Sequence, residues 1–152
     1  MTPIQLYTYQ TPNGHKASIM LEETGLPYDV HVVDIEKGDQ FRPTFLAMNP
    51  NNKIPVIVDP DRGRTVFESG AILLYLAARS GVLKPRDGIE AGHTLQWLLF
   101  QAAHVGPTLG QLWNFKIFAA EKLPQVIDRF TRDGPRHAGA GWPVGIKAIS
   151  RW

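Results

Sequence analysis

Ile4-Gln5-Leu6-Tyr7-Thr8-Tyr9 alternates with period two and is rich in strand formers, which predicts a first strand. Gln10-Thr11-Pro12-Asn13-Gly14 is turn chemistry. From His15 the period lengthens: Ala17, Ile19, Met20, Leu21 and Thr24 suit an amphipathic helix, with Gly25 as its stop. Tyr28-Asp29-Val30-His31-Val32-Val33 reads as a second strand, and residues 40–48 as a loop with one helical turn over 42–46. Ile54-Pro55-Val56-Ile57-Val58 and Arg64-Thr65-Val66-Phe67 flank the turn Asp59-Pro60-Asp61-Arg62-Gly63, a strand hairpin. Glu68-Ser69-Gly70 opens a helix, Ala71 to Arg79, ended by Gly81. The first half of this order implies a parallel pair with a crossover helix, the second a hairpin closed by a helix.

Lys84-Pro85-Arg86-Asp87-Gly88 is a polar linker and a candidate domain boundary. Beyond it the pattern is helical. Residues 89–121 carry Leu95, Leu98, Leu99, Ala102 and Val105 at helical spacing, and Gly106-Pro107 should kink or break that helix. Residues 122–132 form the next. Residues 133–145 have no period, and six of the thirteen are Gly or Pro, which argues against a regular helix. The expected division is therefore 1–83, 89–132 and an irregular tail over 133–152. No internal repeat is seen.

Composition narrows the function classes. The 43% hydrophobic content is globular, and no apolar run approaches the roughly 18 residues of a membrane span. The start Met1-Thr2-Pro3-Ile4-Gln5-Leu6 lacks a basic stretch followed by an apolar one, so a soluble cytoplasmic protein without a membrane partner is the expectation. With no cysteine there is no disulfide, no thiolate nucleophile and no cysteine-ligated metal. Any sulfur chemistry must use a sulfur brought from outside. The net charge of +2 is small and the basic residues are scattered, which gives no nucleic-acid footprint. His31, His93, His104 and His137 show no metal-ligand spacing, so no metal is expected.

Five motifs then stand out in order: Thr11-Pro12-Asn13-Gly14-His15-Lys16, Gln40-Phe41-Arg42-Pro43, Asn49-Pro50-Asn51-Asn52-Lys53-Ile54-Pro55, Phe67-Glu68-Ser69-Gly70-Ala71-Ile72 and Leu95-Gln96-Trp97-Leu98. With the element order, they resemble the glutathione transferase family from about Ile4 to Arg132. The resemblance is greatest to its bacterial nu class, also described as disulfide-bond oxidoreductases, and extends to the related yeast nitrogen-regulator prion protein. It implies an α/β thioredoxin-like domain (β-α-β-α-β-β-α) followed by part of an all-α domain.

Ser69 sits where a helix begins, where free N–H groups and the dipole suit a carboxylate, and Glu68 suits an ammonium. The resemblance assigns the pair to the γ-glutamyl end of glutathione; otherwise Ser69 only caps the helix. The resemblance makes the Ile54-Pro55 bond cis and pairs the preceding backbone with the cysteinyl part of the ligand. Gln40 and Lys53 are candidates for the glycyl carboxylate, against two solvated loop side chains. Thr11 and Asn13 are candidates for stabilising the thiolate, against simple turn chemistry, and Tyr9 is the runner-up donor. Lys16 adds positive potential there or is solvated. Arg129, in Val126-Ile127-Asp128-Arg129-Phe130, resembles a family arginine that approaches the ligand carboxylates. Trp97, Phe100, Gln101, Gly106, Trp113, Asn114 and Phe115 fall where the family faces its electrophile pocket and its dimer partner, against ordinary core packing.

The implied function is reduction of disulfides or peroxides, or conjugation of small electrophiles, with glutathione as cosubstrate in a homodimer. The alternatives are a non-catalytic glutathione-binding regulatory module and an inactive truncated fragment. The last is suggested by residues 133–152, where the family pattern fails and an aberrant ending is expected.

Overall fold

A computed structural model of the chain describes residues 1–138, with side chains described through residue 134. The chain divides into two compact units, Met1–Arg86 and Asp87–Trp152. The first runs β1 (Ile4–Thr8), α1 (Pro12–Thr24), β2 (Tyr28–Val32), a 3₁₀ turn (Asp39–Phe41), α2 (Pro43–Leu46), β3 (Val56–Asp59), β4 (Arg64–Phe67) and α3 (Ser69–Ser80). The second runs α4 (Gly88–Phe100), a π segment (Gln101–Val105), α5 (Gly106–Trp113), a second π segment (Asn114–Phe118) and α6 (Pro124–Ala138).

The four strands form one mixed sheet in the order β2-β1-β3-β4. β1 and β2 are parallel, while β3 runs antiparallel to both β1 and β4. Strand alternation sorts the core onto two faces. Ile4, Leu6 and Ile57 point to one face, covered by Ala17, Met20 and Leu21 of α1 and by Ile72, Leu76 and Ala77 of α3. Val56 belongs to a smaller cluster with Val33 and Phe45, against which Tyr7, Met48 and Ile54 pack. This is the thioredoxin-like arrangement that the motifs implied.

Helix starts differ from the periodic reading for a local reason. α1 begins at Pro12 rather than His15, because Thr11 Oγ1 accepts the Gly14 N–H at 3.1 Å and proline in the first turn needs no donor. The turn residues are thus the first turn of the helix. Gly14 is required there by space: a Cβ would lie 2.3 Å from the Tyr9 carbonyl oxygen and 2.4 Å from Thr8 Oγ1.

At the far end of β3, Asp59 is 1% exposed and takes Tyr75 Oη at 2.7 Å and Arg79 Nε at 3.1 Å. Arg79 also reaches Asp61 at 3.4 Å, whose carboxylate receives the Thr2 N–H. This network ties α3 and the start of the chain to the β3–β4 hairpin. Burial pushes the Asp59 carboxyl up, but the bonds from Tyr75 and Arg79 outweigh it and hold it below the usual range. Burial and Asp59 together push the Tyr75 phenol up to about 12.

In the second unit, Gly106-Pro107 does not break the helix. The π segment absorbs the proline: the Gly106 N–H bonds back to Gln101, five residues earlier. Lys122 closes the far end, its ammonium 3.0 Å from the Ile117 carbonyl and 2.8 Å from that of Ala119. The irregular tail expected from residue 133 is corrected in part, since α6 continues to Ala138. Gly134 is buried, and a Cβ there would touch Leu109 at 3.4 Å. Packing on α5 thus overrides the weak helix propensity of glycine. The rest of the tail, 139–152, lies outside the described residues. Among the described residues no helix is long and apolar enough to cross a membrane.

Two outcomes follow from this packing. Gly14→Ala forces the Tyr9–Gly14 turn apart and lowers stability by about 1–3 kcal/mol, read as a fall in the denaturant midpoint; an unchanged midpoint would show that the turn is slack. The Asp59–Tyr75 pair gives a stability plateau with two edges. Its carboxyl is depressed, so its contribution is present above the unfolded carboxylate pKa and is lost as pH falls through the folded one. Its phenol is raised from 10.0 to about 12, so that contribution is complete below 10 and disappears as pH climbs to about 12. Tyr75→Phe should flatten the alkaline edge in a stability-versus-pH series.

Candidate functional site

The sheet register brings most of the candidate residues to one end of the first unit. Tyr7 is paired with Val56, and Val56 with Phe67. The C-terminal end of β1, the start of β3 and the end of β4 therefore share one row. From that row emerge the β1–α1 turn with Thr11 and Asn13, the loop carrying Lys53, Ile54 and Pro55, and the junction with Glu68 and Ser69. β2 is parallel to β1 with Thr8 opposite Val32, so the segment leading to Gln40 leaves from the same end.

In the turn, Thr11 Oγ1 is occupied as an acceptor by Gly14, which leaves its hydroxyl proton to donate elsewhere. Asn13 is exposed on the first turn of α1, and its Oδ1 receives the Lys16 ammonium at 2.9 Å. An ammonium only donates, so the oxygen faces Lys16 and the amide N–H pair faces away. Lys16 is half-buried rather than solvated, and burial pulls its ammonium below the usual lysine range. Tyr9 has a different environment. Burial first, then the charges of Asp34 and Glu36, raise its phenol above the ordinary value. A phenol surrounded by carboxylates is a weaker donor to an anion than a neutral amide beside an ammonium.

The loop before β3 hangs on Asn49, a residue that the sequence showed only as part of a motif. Asn49 is 1% exposed; its Nδ2 donates to the Lys53 carbonyl at 2.7 Å and its Oδ1 accepts the Asn51 N–H at 3.0 Å. Those bonds shape the loop so that the Lys53 side chain is exposed and the following Ile54–Pro55 peptide is cis, as the resemblance implied. Ile54 stands just ahead of the first paired residue of β3, so its peptide groups lie outside the sheet ladder. Gln40 donates one N–H to the Ile35 carbonyl at 3.2 Å, and its Oε1 is buried without a partner. One N–H of its carboxamide is left.

α3 opens at Ser69 itself, and Glu68, the residue before it, provides no side-chain cap. α1 and α4 differ: Thr11 caps α1, and Asp87 Oδ1 caps α4 through the Ile89 and Glu90 N–H groups at 2.8 and 2.9 Å. The first-turn N–H groups of α3 thus stay open beside the positive end of its dipole. Glu68 has φ +69° and ψ +116°, a backbone conformation that costs a non-glycine residue about 1–3 kcal/mol. Held in this way, its exposed carboxylate stands next to the open helix end.

The remaining candidates belong to the second unit. Arg129 is on α6, its guanidinium 5.9 Å from the Phe130 ring centroid. Trp97 donates to His93 Nε2 at 3.0 Å and meets Phe100 edge to face at 5.8 Å, while Phe115 stacks on Phe130 at 6.2 Å. Trp113 is exposed. Gln101 and Gly106 frame the first π segment, and Asn114 opens the second. Among the described residues no group of three or more His, Asp or Glu side chains is placed to hold a metal ion.

Residues 11–79 match the family model described as the N-terminal domain of glutathione S-transferase. The disulfide-bond oxidoreductase YfcG of Escherichia coli strain K12 is 48% identical over 132 residues, covering 84% of this chain and 61% of that protein. The chain thus spans about 61% of the length of this curated relative. A glutathione transferase homologue from Lodderomyces elongisporus, solved with two GSH per subunit, superposes with a TM-score of 0.86 at 40% identity, over 91% of this chain and 68% of that one. A glutathione transferase from Pseudomonas putida, solved with one glutathione disulfide per subunit, gives 0.84 at 45% identity over 90% and 62%. Family model, sequence relatives and fold agree: the chain belongs to the glutathione S-transferase family.

Proposed function

We propose that the first unit binds glutathione and activates its thiol for reduction of disulfides. The observation that carries this reading is the convergence, at one end of the sheet, of an uncapped helix terminus beside a carboxylate and a turn bearing two neutral donors. An amino-acid head group needs both partners of the first kind: the α3 N–H groups at Ser69 take its carboxylate, and Glu68 takes its ammonium. The free peptide groups of Ile54, ahead of Pro55, take the peptide backbone as an added strand. Lys53 and the remaining N–H of Gln40 take the terminal carboxylate.

A thiol of pKa about 8.5 is mostly protonated at neutral pH, and the thiolate is the nucleophile. Thr11 Oγ1–H and the Asn13 N–H pair donate to the sulfur and favour its anion, helped by the positive end of α1. The thiolate attacks one sulfur of the disulfide; that S–S bond breaks, a mixed disulfide forms and the other sulfur leaves as a thiolate. A second glutathione resolves the mixed disulfide to glutathione disulfide and a second thiol. The bound molecules named for the Lodderomyces and Pseudomonas proteins are the two ends of that sequence, which supports this direction over carbon conjugation. The working form in this proposal is a cytoplasmic homodimer.

Glutathione should raise the melting temperature, since a ligand of the native state alone adds about 2.7 kcal/mol at one hundred times Kd. For a chain of this size that is about 5–10 °C, and an unmoved transition would dismiss the binding reading. Turnover with glutathione and a small disulfide should separate the donors. Asn13→Ala is expected to cost about tenfold or more in kcat/KM, and Tyr9→Phe far less. The opposite ranking would transfer the thiol to Tyr9.

A further inference from the structure

We propose that Lys16 is a positioning residue for Asn13: its ammonium holds the carboxamide oxygen and so keeps the amide N–H pair turned to the sulfur of the bound thiol. This rests on the glutathione reading above and adds to it the group that decides which end of Asn13 meets the ligand.

An exposed asparagine on the first turn of a helix has two ends of nearly equal shape, one accepting and one donating. Thiolate stabilisation needs the donating end. Turned the other way, Asn13 would set an oxygen lone pair against the sulfur and raise the energy of the anion. Within α1 the residue three positions on lies over the same face, and Lys16 meets Asn13 Oδ1 there at 2.9 Å. Because the ammonium has donors only, the contact selects one orientation of the amide.

The location of Lys16 is costly for a lysine. Lys16 is half-buried where other surface lysines such as Lys37 and Lys53 are exposed. Desolvation pulls its ammonium below the usual lysine range, and no carboxylate among the described residues compensates it. Burial works against the ion, and its polar contact among the described residues is the Asn13 oxygen. An ammonium acting only by its charge would not need that contact; an ammonium acting through Asn13 would.

The test is a double-mutant cycle on the full chain, with glutathione as ligand and 2-hydroxyethyl disulfide as the second substrate. Two quantities are read: the pKa of the bound thiol from its ultraviolet thiolate absorbance, and kcat apart from KM. Far-UV circular dichroism and melting without glutathione confirm that each variant is folded. Lys16→Met is expected to raise the bound thiol pKa and to lower kcat by about fivefold to tenfold, with the KM for the disulfide unchanged. Lys16→Arg, which retains a cationic donor, should recover most of that loss. In an Asn13→Ala background, Lys16→Met should change neither quantity further.

A Lys16→Met effect that persists in full without Asn13 would overturn the proposal in favour of direct electrostatics. So would a Lys16→Met variant indistinguishable from the parent. Failure of the parent chain to lower the thiol pKa, or to melt higher with glutathione, overturns the glutathione reading itself and this inference with it.

Discussion

The first unit depends on how tightly Gly14 folds over its own backbone. With its Cα packed so near Tyr9 that any Cβ would lie 2.3 Å from the carbonyl oxygen, α1 can start only where it does. Thr11 then becomes its cap, Pro12 its first residue, and Asn13 and Lys16 neighbours on one face. The arrangement of side chains on the first turn of α1 depends on that start. The energy for so tight a junction comes from elsewhere: from Ala17, Met20 and Leu21, which seat the same helix on the sheet.

The two helix N-termini at this end of the sheet do different work. α1 is closed by Thr11, so its contribution is delivered through side chains arranged on its first turn. α3 has no such closure, which leaves its first-turn peptide N–H groups open. The distorted backbone of Glu68 stands beside that open end, and its strain is a cost the rest of the unit must carry.

Much of this architecture was legible in the residues. Strands β1 and β3 declare themselves because each has apolar residues on the core side, and α1 and α3 end at Gly25 and Gly81, both at positive φ. The motifs around Thr11, Pro55 and Ser69 mark segments that the register brings to one end of the sheet. What stayed hidden depends on contacts with no periodic signature. Asn49 looks like any turn asparagine until the Lys53 carbonyl is folded back to it. Asp59 looks like a hairpin residue until α3 brings Tyr75 and Arg79 onto it. Lys16 reads as a solvated lysine because spacing does not say what a half-buried ammonium touches. Near the other end of the chain, Gly134 and Pro135 suggest an irregular segment, and only packing on Leu109 shows why α6 goes on.

The first π segment of the second unit changes how its long helix addresses its surroundings. It adds about one residue to a turn, so the side-chain stripes beyond it are rotated by about 100° from where an uninterrupted α-helix would put them. After Gln101–Val105 the helix faces a new direction, whereas Asn114–Phe118 is its last turn and leads into the extended Ala119. The helix thus carries two differently oriented surfaces, one set by Trp97 and Phe100 and one by Leu109 and Trp113. Removal of one residue within 101–105 would turn one of them toward the direction of the other.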